Sequence, residues 1–368
     1  MTAQAKTKQE RAQERLARVR AAFEEWEVDG LLVGSPANRR WLSGFTGSAG
    51  WLLITANAAH LATDFRYWTQ AETQAPAFSL FHFSEKARLT EFVQSVGPAT
   101  IGVEAGHLTL ADFNKLRGVD GVTWQPLAET VEPMRALKSP AEIEAIRAAA
   151  AITDRVMAQV NQLARPGQTE AELAWELEKR LRESGADAMA FPIIVASGPN
   201  AARPHHSSGQ RPLQEGDALI VDMGAALGGY MSDLTRSFYL GNEPSPRYRK
   251  IYDLTLKAQQ AALEGLRPGT TTREADALAR DTIAAANHQE HFGHGLGHGV
   301  GLEVHEEPHL SPREKYELPL QSGMVTTVEP GVYVPDWGGV RIEDLVLVAD
   351  DGIEMLSRCP KTPQIPVS

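Results

Sequence analysis

Two stretches of the chain repeat each other in order, and this constrains the fold more than any other feature. Arg165-Pro166-Gly167 followed by TEAELAWELEKRL is matched by Arg267-Pro268-Gly269 followed by TTREADALARDTI. LQEGDALIVDMG, from Leu213, matches LQSGMVTTVEPG, from Leu320. Gly228-Gly229-Tyr230-Met231-Ser232-Asp233 then matches Gly338-Gly339-Val340-Arg341-Ile342-Glu343. The offset between the copies drifts only from 102 to 107 to 110 residues. Chance similarity of two amphipathic hairpins does not explain why three blocks agree in order. Residues 140–350 are therefore expected to form two copies of a helix, helix, strand, hairpin unit.

The alignment sets Asp222 against Glu329 and Asp233 against Glu343, so each copy carries two acids on two consecutive strands. A two-residue loop at Leu227-Gly228 would pair Ala226 with Gly229 and put Asp222 directly opposite Asp233. An odd loop centred on Asp336 would put Glu329 directly opposite Glu343. Directly opposed residues have Cβ atoms about 4.5–5.5 Å apart on one face of the sheet. The flanks are apolar (Leu219, Val221, Val325, Val328) and read as buried. Like charges so close in a core need something positive between them, and two divalent cations balance four carboxylates.

Eight of the eleven histidines lie between positions 205 and 309, densest in HFGHGLGHGVGLEVH from His291. His294 and His298 have the spacing of a zinc-binding helix, but glycine at 293, 295, 297, 299 and 301 would cost about 1 kcal/mol each in a helix. Alternating glycine instead predicts an extended segment whose backbone packs against another element or a substrate, with His294, Leu296, His298 and Val300 on one face. GFTGSAG, at Gly44–Gly50, lacks the lysine of a phosphate loop and reads as a turn.

At 368 residues the chain is expected to hold two domains, 1–130 and 131–368. In the first third, strands are predicted at Gly30–Val33, Trp51–Ile54, His60–Thr63 and Thr100–Val103. Helices are predicted at the N-terminus, at Tyr67–Gln74 and at Leu89–Ser95, an α/β pattern. Gln125–Ser139 reads as the boundary, leading into a helix capped by Ser139 with Pro140 and Glu142 behind it. A net charge of −11 argues against nucleic acid or an anionic membrane as partner. One cysteine, Cys359, allows no intrachain disulfide, and no run of 18 apolar residues or signal-type segment is present. A cytoplasmic protein is expected.

PHHSSG, GDALIVDMGA…GGYMSDLTRSF, HGLGHGVGLEVHE, TVEPGVY and VRIEDLVLV together resemble the pita-bread metallopeptidase family. That family includes aminopeptidase P, prolidase, methionine aminopeptidase and the metal-free creatinase. LSGFTGSAGWLLIT and ATDFRYWTQA resemble the creatinase-type N-domain of aminopeptidase P and prolidase, which methionine aminopeptidases normally lack. The resemblance implies an α/β N-terminal domain followed by an α+β pita-bread catalytic domain with a pseudo-twofold internal repeat. It implies five metal ligands, Asp222, Asp233, His298, Glu329 and Glu343, holding two divalent ions, with Mn²⁺ favoured and Co²⁺ or Zn²⁺ open. Asp233 and Glu343 would bridge the ions. Glu329 would also move the proton, His205 and His305 would donate hydrogen bonds to the reacting oxygen, and His294 and Arg341 would support the site. The implied substrates are peptides with proline second, cut before the proline. Aminopeptidase P is favoured over prolidase, and a homodimer is expected. A pita-bread binding protein without catalysis would show lost ligands, yet all five positions are filled.

Overall fold

The computed structural model describes residues 7–84, 88–97 and 100–367. The chain divides into two compact units, Met1–Met134 and Arg135–Ser368.

The first unit is built on a six-stranded mixed sheet: β1 (Gly30–Val33), β2 (Trp51–Thr55), β3 (Ala59–Thr63), β4 (Ser79–His82), β5 (Thr100–Glu104) and β6 (Thr123–Leu127), in the order β4-β3-β2-β1-β5-β6. The expected strands and helices are found within a residue or two. Leu32, Leu53, Phe92, Ile101, Val103 and Leu116 form its core, each such side chain contributing about 1.5–3 kcal/mol on burial. The sequence reading missed β4 and β6, the two edge strands. β4 is short and half-exposed, and β6 contains Pro126, which only an edge tolerates because it lacks a ladder donor. GFTGSAG is irregular, as expected.

The second unit contains the repeat. In the first copy, helices Pro140–Met157 and Glu170–Glu183 pack on β8 (Ile194–Ser197), β9 (Ala218–Met223) and β12 (Leu234–Leu240). The short strands β7 (Ala188–Met189), β10 (Ala225–Leu227) and β11 (Tyr230–Met231) form a separate small sheet. In the second copy, helices Pro246–Gly265 and Thr272–Ala285 pack against β13 (Gly297–Gly299), β14 (Glu306–Leu310), β15 (Val325–Val328), the hairpin β16 (Gly331–Val334) and β17 (Gly338–Arg341), and β18 (Asp344–Ala349). Completed by β19 (Gly352–Met355) and β20 (Gln364–Ile365), the larger sheets run β20-β12-β9-β8 and β14-β13-β15-β18-β19.

The copies agree in detail. Thr169 and Thr271 each close a capping box on their helix, with Glu172 and Glu274 as the return partners. Each threonine also bridges a proline, Thr169 to Pro212 and Thr271 to Pro319. The strand pairs meet where Glu343 N donates to Thr235 O, and Ser237 Oγ exchanges bonds with the Arg341 backbone. No helix among the described residues is long and apolar enough to cross a membrane.

The expected hairpin registers fare differently. β15 and β18 pair Val328 with Asp344, and β16 and β17 pair Gly331 with Arg341, so Glu329 and Glu343 occupy opposed positions around a loop containing Asp336 at φ 61°. The first hairpin departs from expectation. Gly228 and Gly229 both take positive φ, so they form the turn and Leu227 pairs with Tyr230. Asp222 consequently lies opposite Thr235, not Asp233. The slip is two residues, which preserves the face, so both acids still point the same way.

Candidate metal centre

Each candidate acid sits on or at the end of a central strand. Asp222 is in β9, Asp233 immediately precedes β12, Glu329 follows β15 and Glu343 precedes β18. Their neighbours Leu219, Val221, Val325 and Val328 are fully buried, which fixes the strands and leaves the acids facing only the cleft. His298 lies in β13, and the glycines beside it explain the close approach. A Cβ on Gly297 would lie 2.1 Å from Thr327 O, and one on Gly299 2.0 Å from Glu307 O. Gly295 and Gly301 are equally crowded, by Leu310 O and Glu306; only Gly293 faces open space. Leu296 and Val300 go into the core.

The five side chains converge on the floor of a cleft of about 640 Å³. His298 Nε2 is 3.2 Å from Glu329 Oε1 and 3.7 Å from Asp233 Oδ2. Ligand atoms of Asp233, His298 and Glu343 all lie within 4.8 Å of one another. Thr235 Oγ1 donates to Glu343 Oε2 at 2.7 Å, and Thr327 Oγ1 to Glu329 Oε1 at 3.0 Å. His298 Nδ1–H donates to Gly299 O at 3.2 Å, so Nε2 is the nitrogen turned toward the acids.

Electrostatically the cluster is frustrated. Burial, then the neighbouring carboxylates, push the Asp233 and Glu343 carboxyls well above the usual range. Burial also raises Asp222, against the opposing pull of Arg341. Burial pushes Glu329 up as well, but the hydrogen bond and charge of His298, with His294 and Arg341, hold it at about 2. Asp222 Oδ1 is buried and accepts no hydrogen bond, although Oδ2 takes one from Arg341 Nη2 at 2.7 Å. An orphaned carboxylate oxygen beside three mutually close ligand atoms fits divalent cations, which satisfy the lone pair and the surplus negative charge together. Four oxygen ligands and one imidazole make a hard donor set.

The supporting residues are placed as follows. Arg341, expected to support the site, grips Asp222. It also donates to Tyr333 Oη at 2.9 Å, Thr235 Oγ1 at 3.1 Å and the Pro204 carbonyl at 3.3 Å. Tyr333 Oη in turn donates to His294 Nε2 at 2.9 Å, while His294 Nδ1–H donates to Gly295 O at 2.7 Å. Both ring nitrogens of His294 are thereby engaged, leaving it a bracing part here, with burial holding its imidazole below the ordinary value. His305 packs against His298 with ring centroids 4.2 Å apart, and burial lowers its imidazole too. His205 is exposed and lines the same cleft.

Several residues escaped the sequence reading. Tyr333 relays between Arg341 and His294. Asp276, fully buried, accepts from Leu296 N at 3.0 Å and clamps Arg280, which donates to the carbonyls of Phe292 and His294. Glu306 is buried between Arg135 and Lys138 next to His305. Asp276 left a readable signal: it falls in the buried stripe with Ala275, Ala279 and Ile283, where an acid needs a partner.

Residues 144–350 match the model of metallopeptidase family M24, and residues 15–137 that of the Creatinase/Prolidase N-terminal domain. The chain is 39% identical over 350 residues to an uncharacterized peptidase of Bacillus subtilis, covering 94% of this chain and 98% of that one. A solved Xaa-Pro dipeptidase from Bacillus anthracis superposes with TM-score 0.93 at 38% identity, over 96% of this chain and 99% of that one. An X-Pro aminopeptidase from Thermotoga maritima gives TM-score 0.85 at 34% identity, over 95% and 99%. With its acids, its histidine and its duplicated architecture, the chain belongs to metallopeptidase family M24, a pita-bread catalytic domain behind a creatinase-type N-terminal domain.

Proposed function

We propose that the protein is a dinuclear-metal Xaa-Pro aminopeptidase, hydrolysing the amide between an N-terminal residue and a penultimate proline. The observation that carries this reading is the convergence of Asp222, Asp233, His298, Glu329 and Glu343 on one buried floor with an unsatisfied Asp222 oxygen. These five would hold two divalent cations, Mn²⁺ before Co²⁺ or Zn²⁺. Bound there, such ions acidify water toward neutrality and polarise a carbonyl.

This chain's own residues do the rest. Glu329 accepts a proton from the attacking water at Oε1 as the C–O bond forms. It delivers that proton to the proline nitrogen as the C–N bond breaks. His305 and His205 donate hydrogen bonds to the oxygen that gains charge, each such donor contributing about 2.7–4 kcal/mol. A tertiary amide offers no N–H to recognise, so selection falls on the ring. Phe191, Pro192, Ile194, Leu310 and Pro312 give the cleft an apolar wall for it.

The test is hydrolysis of Xaa-Pro and Xaa-Pro-Xaa peptides before and after chelation, with each metal then added back. Activity is expected to vanish and to return best with Mn²⁺; full activity of metal-free protein would falsify the mechanism. Faster turnover of the dipeptide than of the tripeptide assigns the prolidase reading instead, and relatives carry names of both kinds. A cytoplasmic homodimer completes the proposal.

A further inference from the structure

We propose that Glu170 and His206 are a buried positioning pair that sets His205 over the reacting carbonyl; this rests on the function proposed above. Residues 203–211 have no helix or strand to hold them, yet they carry His205 into the cleft. One tie is the bond from Arg341 Nη1 to the Pro204 carbonyl. The other is Glu170, whose side chain is 0% exposed. Its Oε2 faces His206 Nε2 at 2.8 Å and accepts from Gly209 N at 3.2 Å. Its Oε1 accepts from Ser197 N and Oγ, both at 2.8 Å, and from Asn200 Nδ2 at 3.0 Å. A carboxylate cannot donate, so Nε2 carries the proton of the His206 contact. Burial opposes the charge on Glu170, but the bonds from Asn200, His206 and Ser197 outweigh it and lower its carboxyl.

The repeat shows that merely closing this loop does not require a carboxylate. Glu170 follows the capping Thr169, as Thr272 follows Thr271 in the second copy. Thr272 is equally buried, and its hydroxyl alone bridges Tyr316 O at 2.7 Å and Leu318 N at 3.2 Å. The first copy replaces that hydroxyl with a longer, charged acceptor that reaches the residue next to His205. Pro204 and His206, on either side of His205, are thereby held by Arg341 and by Glu170.

The test is a double-mutant cycle in the full-length, metal-loaded chain, with hydrogen exchange of residues 203–211 as a second readout. His206→Ala and Glu170→Gln are expected to lower kcat on an Xaa-Pro tripeptide by about a hundredfold, with KM and bound metal little changed. His206→Gln, which can still donate to Glu170, should recover most of the rate. His205→Ala/His206→Ala should be no slower than His205→Ala alone, and the Gly209 amide should exchange faster in both single variants. Multiplying losses in the double variant, or unchanged exchange, overturns the positioning role. An inactive wild-type chain overturns the proposed function alone; exchange then decides the anchoring, and unchanged rates in both variants overturn it.

Discussion

Asp233 and Glu343 sit where ionisation is costly, because each is buried and faces the other acids. Their carboxyls are raised, so ionisation favours the unfolded chain at any pH above the unfolded value of about 4. Metal-free protein should therefore gain stability as pH falls from 7 toward 5. Asp233→Asn and Glu343→Gln should each raise the metal-free Tm by about 2–4 °C while abolishing metal uptake and turnover. Thermal melts with and without Mn²⁺ check this; a lower metal-free Tm in both variants is the contrary result. Glu170 has the opposite sign. Its carboxyl is lowered from 4.5, so its contribution is present above that value and lost as pH falls through the folded one. Glu170→Gln should melt earlier than wild type at pH 7, with the gap closing below about pH 4. Nothing in the sequence marked Glu170. An acid in the first turn of a helix is ordinary, and the adjoining Thr169–Glu172 box already accounted for that turn.

At the scale of elements, the strand β13 bears the strictest requirement. Its backbone lies so near Thr327 and Glu307 that a methyl group on Gly297 or Gly299 must displace the strand, and His298 with it. Gly297→Ala is expected to cut activity by about a hundredfold or more with helix content unchanged by circular dichroism. Wild-type turnover would show that the strand tolerates the shift. The extended backbone was legible, because glycine at every second position penalises a helix and strips a strand for close backbone approach, but the expected single face was not found: Leu296 and Val300 enter the core while His294 and His298 line the cleft. The hairpins were legible in part. Pro335-Asp336 marked the second turn, and the opposed positions of Glu329 and Glu343 followed from it. In the first hairpin, Leu227-Gly228 competed with Gly228-Gly229 for the turn, and only the latter supplies two residues that accept positive φ. The slip of two residues kept Asp222 and Asp233 on one face.

For the whole molecule, the internal repeat made the two-copy architecture and the four acids readable before any coordinates. Most tertiary braces were not readable, because Arg280, Tyr333 and Arg135 reach partners across loops whose paths no local pattern dictates. Metal should act at this scale. Divalent ions that bind only the folded chain would stabilise it by mass action, by about 2.7 kcal/mol for each site at a hundredfold excess over its dissociation constant. A melting temperature unresponsive to Mn²⁺, Co²⁺ and Zn²⁺ would remove the metal from the account. Arg341 adds a mechanical consequence. Lying in the second copy, it holds Asp222 and Thr235 of the first, and β17 is bonded to Ser237 beside it. Prying the copies apart to admit a peptide would strand a buried guanidinium, so the mouth works as a fixed aperture and the choice of guest falls to the contour of its rim.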